Sequence, residues 1–432
     1  MKKLILFLIL LIPALNVNAQ DTLSLQDAIR MALENNFSIR LMKNEVEIAK
    51  NNNTIANAGM LPSLSATGSQ DNSITTTEQK FFDGRTRNAS NAGTHSLNAG
   101  VMMDWTIFQG YSMFIAKNTL EQLQQVGELQ QRLTIENTVA SVIISYYDIV
   151  AQNMRKKVLT DAVNLGKERK NLVEYMMQLG SASRPDVFQV SVDLNNDSAS
   201  LLQQNILINN LKSNFNVLLG REGDVSFETE LEIPIEKSLQ YDQLLTKVEQ
   251  QNTRLFLARR NIHLADLNTR FWKSQYYPRV SLYGGYNYLQ SRSEVGLLQS
   301  NLNFGPTYGV RATFNIFNGF TNKRNLNNSK ILQQSSELEL RQVQLEIRND
   351  LLKLYNTYIG NLELMKLQQE NLIMARENLN ISVEKFRLGS INNIDLRIIQ
   401  QNLINAETKY LEARYEAKVA ETELMRLAGE IN

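Results

Sequence analysis

The sequence contains no cysteine and only two histidines, His95 and His263, among its 432 residues. Disulfide bonds, thiolate zinc sites and cysteine nucleophiles are therefore excluded, and a metal centre built from several histidines is nearly so. The charges almost cancel, with 45 Lys and Arg against 44 Asp and Glu. Because no basic excess is present, the composition gives no reason to expect a nucleic acid partner. We expect neither a cofactor nor a bound metal.

The chain is also poor in proline: its six prolines leave residues 63–184 and 307–432 without one. A proline inside a helix costs about 3 kcal/mol, so tracts of this length permit very long helices. Long apolar runs are scarce as well, and one of them extends from Leu4 to Leu15 behind Lys2 and Lys3. Followed by the small-residue segment 17–19, it predicts a secretory signal peptide, residues 1–19. The alternative, a transmembrane anchor, needs about 20 apolar residues, which is more than this run offers.

The second half of the chain repeats the first. The tripeptide Leu-Gly-Ser at 179–181 recurs at 388–390, and the Phe-x-Gly joint at 108–110 recurs at 317–319. A period of about half the chain indicates a duplicated unit and not a solenoid. We predict a first structural repeat at 20–236 and a second at 237–432. Each repeat reads as helix, strand, loop, strand, very long helix, turn and long helix.

Heptad seams support the long helices. Residues with 4-3 spacing, most of them apolar, extend from Ala140 to Leu179 and from Leu351 to Phe386, and each series continues after the following turn. This spacing predicts helices packed side by side as in coiled coils. A helix from Tyr111 to Leu179 would be about 100 Å long, which is too long for a compact globular domain.

Segments between the helices alternate apolar and polar residues, most clearly at 97–107 and 308–316, with weaker examples after Pro62 and Pro278. The pattern fits a half-buried strand of a soluble sheet, and it also fits a membrane β-strand with one face toward lipid. The signal peptide and the lack of another membrane segment favour the second interpretation. The stretches 71–94 and 290–303 are expected to be exposed loops. Since four strands cannot close a barrel, we expect several chains to pool their strands.

The duplication, the two strand-glycine-helix joints and the two Leu-Gly-Ser turns, each followed by an aspartate, together resemble the outer-membrane efflux protein (TolC) family from about Ser24 to Gly429. The resemblance implies a mainly α protein with membrane β structure, in which each chain contributes long coiled-coil helices and four β-strands. It implies a homotrimer with a twelve-stranded β-barrel and a twelve-helix periplasmic tunnel. Residues 224–236 would form a further strand beside the tunnel.

The function implied is that of an outer-membrane exit duct of a tripartite efflux or type I secretion system, extending into the periplasm. Its partners would be outer-membrane lipid, a periplasmic adaptor (membrane fusion) protein and an inner-membrane pump that supplies the energy. The transported substrate is not implied. A soluble periplasmic coiled-coil scaffold or adaptor without a pore is the alternative. We expect no enzyme activity, because no pattern links His95 or His263 to a serine or aspartate.

The resemblance also assigns residues at the helical turns. Asp395 matches the position of a pore-constricting aspartate, Ile398 stands where the family has a second aspartate, and Phe386 stands where some members have a gating tyrosine. The residues expected to dock an adaptor are Leu179, Gly180, Ser181, Asp186, Leu388, Gly389 and Ser390. Helix capping is an alternative for both aspartates, since each lies three residues after a potential N-cap, and at Asp395 the two roles are compatible.

Overall fold

The computed structural model describes residues 22–236, 239–296 and 298–431; the predicted signal peptide lies outside these ranges. In chain order the elements are β1 (Thr22–Leu23), α1 (Leu25–Asn35), α2 (Phe37–Asn52), β2 (Ser63–Lys80), β3 (Thr86–Gln109), α3 (Ser112–Gln178), α4 (Arg184–Leu218), β4 (Glu228–Thr229), α5 (Tyr241–Gln251), α6 (Thr253–Ser274), β5 (Arg279–Ser293), β6 (Ser300–Thr313), α7 (Thr321–Arg387) and α8 (Asn393–Leu427).

The long helices have the lengths that the heptad seams predict. Helices α3 and α7 each contain 67 residues, and the return helices α4 and α8 each contain 35. The expected helix from Tyr111 to Leu179 is confirmed with bounds one residue shorter at each end. No helix in the described part of the chain is both long enough and apolar enough to cross a membrane.

The chain divides into two compact units. Among the described residues, the first contains 22–43, 131–254 and 344–431, and the second contains 44–130 and 255–343. Each unit therefore draws residues from both sequence repeats. The division at 236/237 remains a prediction about the repeated sequence and does not coincide with a boundary between compact units.

The core of the first unit is built around Tyr146, whose ring is buried against Phe215. Its hydroxyl donates to Leu23 O at 2.9 Å and accepts from Glu230 N at 3.3 Å, so one side chain holds two separate segments. Those segments form the parallel pair of β1 and β4. The expected strand at 224–236 is limited to the two residues of β4, and Phe227 and Ile233 on either side of it pack into this core.

The second unit contains an antiparallel four-stranded sheet in the order β2-β3-β5-β6. The expected loops at 71–94 and 290–303 are wrong in extent. Strand β2 continues to Lys80 and β3 begins at Thr86, while β5 continues to Ser293 and β6 begins at Ser300. The turns are correspondingly short, and the polar residues before and after them pair their backbones across the ladder.

The two faces of this sheet differ in polarity. One face presents exposed apolar side chains: Leu64, Leu97, Val101, Trp105, Tyr286, Leu302, Phe304, Tyr308 and Val310. The opposite face of β2 and β6 is polar and includes Ser65, Thr67, Ser69, Asn301, Asn303 and Thr307. Pro306 lies inside β6 opposite Tyr286. A proline is tolerated there because β6 is an edge strand and can lack a backbone donor.

Candidate functional site

The two turns between the long helices have the same backbone geometry. Gly180 has φ 77° and Gly389 has φ 73°, a left-handed conformation that glycine adopts without steric cost. At the first turn Gly180 N donates to Met177 O at 3.0 Å and Ser181 N donates to Met176 O at 2.9 Å. The second turn repeats both bonds, so each helix ends in a Schellman-type motif.

Both turns present an apolar side chain to solvent. Leu179 and Leu388 are exposed, the latter by 81%. They stand at equivalent positions immediately before the left-handed glycines. Each turn therefore combines a fixed backbone with a projecting leucine.

The two aspartates that follow the turns differ in how their carboxylates are used. Asp186 accepts hydrogen bonds from Ser183 N at 2.8 Å and from Ser183 Oγ at 2.6 Å, completing a capping box. These bonds lower the pKa of Asp186 below its ordinary value, the hydroxyl bond contributing most. At the second turn the cap is Asn392, whose Oδ1 accepts from Asp395 N at 2.8 Å. Only the backbone of Asp395 is used in this cap, and its side chain remains exposed.

The other two residues assigned to the constriction lie in contrasting surroundings. Ile398 is 54% exposed on α8. Phe386 is only 6% exposed and packs in an apolar cluster with Val173, Val190 and Leu396. Burial of a phenylalanine ring contributes roughly 2–3 kcal/mol, and this ring has no hydroxyl that would need a polar partner. Asp395 and Ile398 are therefore surface residues, whereas Phe386 lies in the packed interior behind them.

A buried charge network lies within the same unit and was not predicted. Arg169 of α3 is 2% exposed and donates from Nη2 to Asp193 Oδ2 of α4 at 2.7 Å. Its Nη1 contacts Gln400 Oε1 of α8 at 3.4 Å. Arg397 of α8 makes a bidentate pair with Asp197 of α4, at 2.7 and 2.8 Å.

This network joins three helices through charged groups. Burial lowers the pKa of Arg169, whereas the hydrogen bonds that Arg397 donates to Asp197 raise the pKa of Arg397. Buried charges persist only where they are paired, because the desolvation cost of an unpaired ion is several kcal/mol. Asp197 stands in the heptad seam of α4, and a charged residue at a seam position was the signal that could have indicated a partner on another helix.

The histidines lie in the second unit. His95 lies in β3, directly after the stretch expected to be a loop, and its Nδ1 is 2.7 Å from Asn72 Oδ1. His263 lies in α6. Within the described ranges neither imidazole is hydrogen-bonded to a serine or a carboxylate.

Comparisons with known proteins agree with this architecture. The sequence profile of the outer membrane efflux protein family matches residues 28–211 and 244–430. Outer membrane protein TolC of Vibrio cholerae is 19% identical over 341 residues, which cover 78% of this chain and 77% of that protein.

Solved structures show the same fold. VceC from Vibrio cholerae is similar with a TM-score of 0.75 at 14% identity, covering 94% of this chain and 96% of the other. The CmeC outer membrane channel of Campylobacter jejuni has a TM-score of 0.75 at 15% identity, with 94% and 85% covered. The family profile spans most of the sequence and includes both turns between the long helices, at 179–181 and 388–390. The chain therefore belongs to the outer membrane efflux protein family.

Proposed function

We propose that this protein is the outer-membrane exit duct of a tripartite efflux or type I secretion system and acts as a homotrimer. The observation that carries the proposal is the two-faced sheet. Its apolar face is exposed, the outer edges of β2 and β6 are unpaired among the described residues, and α3 and α7 follow β3 and β6 at one end. An open sheet edge is not tolerated in hydrocarbon. If strands from several copies pair into one closed barrel, the edges become hydrogen-bonded and the apolar face contacts lipid.

Apolar stripes on the helices support assembly with further copies. On α4 the exposed residues Phe188, Val192, Leu202 and Ile206 belong to one 4-3 series, which Asn195 interrupts and Ala199 continues. On α7 exposed apolar residues recur every seven positions at Leu367, Met374 and Ile381, and Leu388, just past the end of the helix, continues the series. Heptad stripes of this kind pack against other helices in coiled coils. In a closed ring of helices each stripe would find a partner on a neighbouring protomer.

The start of α8, next to the turn at 388–390, supplies the proposed constriction. In a trimer, three copies of Asp395 converge on the symmetry axis and attract cations, with Ile398 forming an apolar ring one helical turn further on. Phe386 supports this arrangement from behind by packing on Leu396, the residue after Asp395. The turns at 179–181 and 388–390, together with the region of Asp186, form the docking surface for a periplasmic adaptor.

The duct is passive, since the family is one of transport channels and not of enzymes. Energy comes from an inner-membrane pump, and the adaptor links that pump to the turns at 179–181 and 388–390. The soluble-scaffold interpretation accounts for the helices but leaves the apolar face of the sheet in water.

Reconstitution in planar bilayers tests the duct and its constriction together. We expect the purified trimer to conduct, and we expect Asp395→Asn to lower the cation-to-anion permeability ratio by a few-fold, because three carboxylates are neutralised at one level. Asp186→Asn is the matched control in the equivalent turn, where the carboxylate is held by Ser183. Absence of conductance would refute the duct, and an unchanged ratio in Asp395→Asn would refute the constriction.

A further inference from the structure

The apolar face of the sheet ends in a polar and cationic row. The row crosses the four strands in register. Asn72 of β2 lies opposite His95 of β3, which lies opposite Arg292 of β5, and Arg292 in turn lies opposite Ser300 of β6. Directly opposed residues of an antiparallel pair share one face of the sheet. The row therefore continues the face that carries Trp105, Tyr286 and the other exposed apolar side chains.

The position of this row matches a membrane boundary. Ten residue steps separate Trp105 from His95 along β3, which is about 33 Å of strand at about 3.3 Å per residue. At a tilt of roughly 40° this length spans about 25 Å of membrane thickness, the height of the apolar band on outer-membrane strands. The row thus lies where hydrocarbon gives way to lipid headgroups.

The sheet also indicates at which leaflet of the membrane this row lies. Strands β3 and β6 lead into α3 and α7 at the end of the sheet marked by Gln109 and Thr313, opposite to the row. If the helices extend into the periplasm, as in the proposed function on which this step rests, the row faces the outer leaflet.

A cleft of about 780 Å³ opens at this row. It is lined by Arg87, Gly93, His95, Arg292, Ser293, Glu294, Gly296, Gln299 and Ser300. A smaller cleft of about 230 Å³ shares His95 and Arg292 and continues to Gln70 and Leu97, toward the apolar band. A ligand with a charged head and an apolar body could occupy both clefts at once.

The hydrogen bonds of the cleft leave positive charge available. Glu294, the only acidic residue in its lining, accepts from Gly93 N at 2.8 Å through its carboxylate, and its own N–H donates to Gly93 O at 3.0 Å. Arg87 uses Nη1 to donate to Gly296 O at 2.8 Å, which positions its guanidinium. Arg292 is exposed and forms no ion pair with any carboxylate in the described residues.

We propose that this cleft binds the phosphate group of an anionic glycolipid in the outer leaflet. Arginine guanidinium groups present paired N–H donors that fit a phosphate in bidentate fashion. Because Asn72 Oδ1 can only accept a hydrogen bond, His95 donates from Nδ1, and its Nε2 can accept a hydrogen bond from the P–OH group of a phosphate monoanion. The acyl chains lie along the apolar face, beside Leu97 and the aromatic residues below it.

Native mass spectrometry of the detergent-solubilised protein tests the site, with diphosphorylated lipid A and its dephosphorylated form as probes. We expect the wild type to bind the phosphorylated lipid about tenfold more tightly, equivalent to about 1.4 kcal/mol. The double variant Arg87→Gln/Arg292→Gln loses this preference, and each single variant loses part of it. The matched control is Arg279→Gln at the other end of β5, where the guanidinium donates to Thr106 Oγ1 at 2.8 Å; it keeps the preference.

The outcomes separate the possible explanations. Equal binding of the two lipids, or an equal loss in Arg279→Gln, would overturn the site. If inorganic phosphate alone raises the melting temperature of the wild type, and not of the double variant, as much as the phosphorylated lipid does, the cleft binds free anions and the lipid assignment is wrong. Circular dichroism confirms that the variants retain the sheet. Conductance of the same samples is measured separately. A protein that conducts but shows no lipid preference would refute the lipid site and leave the proposed duct function intact.

Discussion

At the scale of single residues, the two strand-to-helix joints offer a matched pair of glycines. Gly110 and Gly319 have φ values of 55° and 63°, and each is followed by another left-handed residue, Tyr111 or Phe320. Their surroundings differ. A Cβ on Gly110 would lie 2.3 Å from Ser274 O, which is backbone, whereas a Cβ on Gly319 would meet nothing within 4 Å.

Alanine at these positions should therefore have unequal effects. Gly319→Ala costs only the strain of a left-handed alanine, about 1 kcal/mol. Gly110→Ala adds a clash that must move the end of α6, which brings the cost to roughly 3 kcal/mol. Melting temperatures of the two variants in detergent check this order, and equal decreases would contradict it.

The sequence predicted the glycine turns well, because a left-handed residue at a helix end has a local signature. The use of each aspartate could not be predicted in the same way. Ser183 and Asn392 both fit an N-cap, and only the structure distinguishes the carboxylate that is bonded in the cap, at Asp186, from the one that is not, at Asp395. The burial of Phe386 agrees with its place in the heptad seam, a local pattern that applies before any assembly is considered.

At the scale of helices and strands, the ion pairs of Arg169 and Arg397 make different contributions. Asp193→Ala would leave the Arg169 guanidinium buried without a carboxylate, and we expect destabilisation of about 3–5 kcal/mol. Asp197→Ala is the matched control four residues along α4. The side chain of Arg397 is 21% exposed and keeps a second carboxylate, since Asp193 Oδ2 lies 3.9 Å from its Nε, so the cost should be about 1 kcal/mol.

Hydrogen exchange at the ends of α3, α4 and α8 measures both effects locally, and thermal unfolding measures them globally. We expect faster exchange in all three helices for Asp193→Ala. The double variant Arg169→Met/Asp193→Leu should recover most of the lost stability, because an apolar pair of similar volume carries no desolvation cost. Equal effects of the two alanine variants would show that burial does not determine the strength of these pairs.

The extent of the strands was harder to predict than that of the helices. Asn- and Ser-rich composition favoured loops at 71–94, yet backbone pairing with the neighbouring strand is available to any residue that can extend. The useful local signal was Asp83-Gly84, a dipeptide typical of hairpin turns. Gly84 has φ 84° and Asp83 Oδ1 accepts from Arg85 N at 3.1 Å, so the turn is confined to a few residues.

At the scale of the whole molecule, duplication explains why the structure contains pairs of equivalent contacts. Asn36 donates from Nδ2 to Leu218 O at 2.8 Å, and Asn252 donates from Nδ2 to Leu427 O at 2.9 Å. Each asparagine follows the first helix of its repeat and holds the end of that repeat's last long helix. Such correspondences follow from the internal repeat of the sequence, whereas contacts between copies of the chain are not encoded in any local pattern.

The exposed heptad stripe on α4 allows the proposed trimer to be tested through a single surface. Leu202→Glu/Ile206→Glu places two charges in the stripe without disturbing the buried face of the helix. If the stripe packs against a neighbouring protomer, burying these charges costs several kcal/mol per interface, and the trimer should dissociate or fail to form. Analytical ultracentrifugation in detergent measures the assembly. Ser200→Asp/Asn214→Asp adds the same charge to exposed positions of α4 that are not helical neighbours of the stripe, and it should leave the trimer intact. A trimer that survives the stripe variant would place the interface elsewhere, and loss of the trimer in both variants would indicate a general effect of charge.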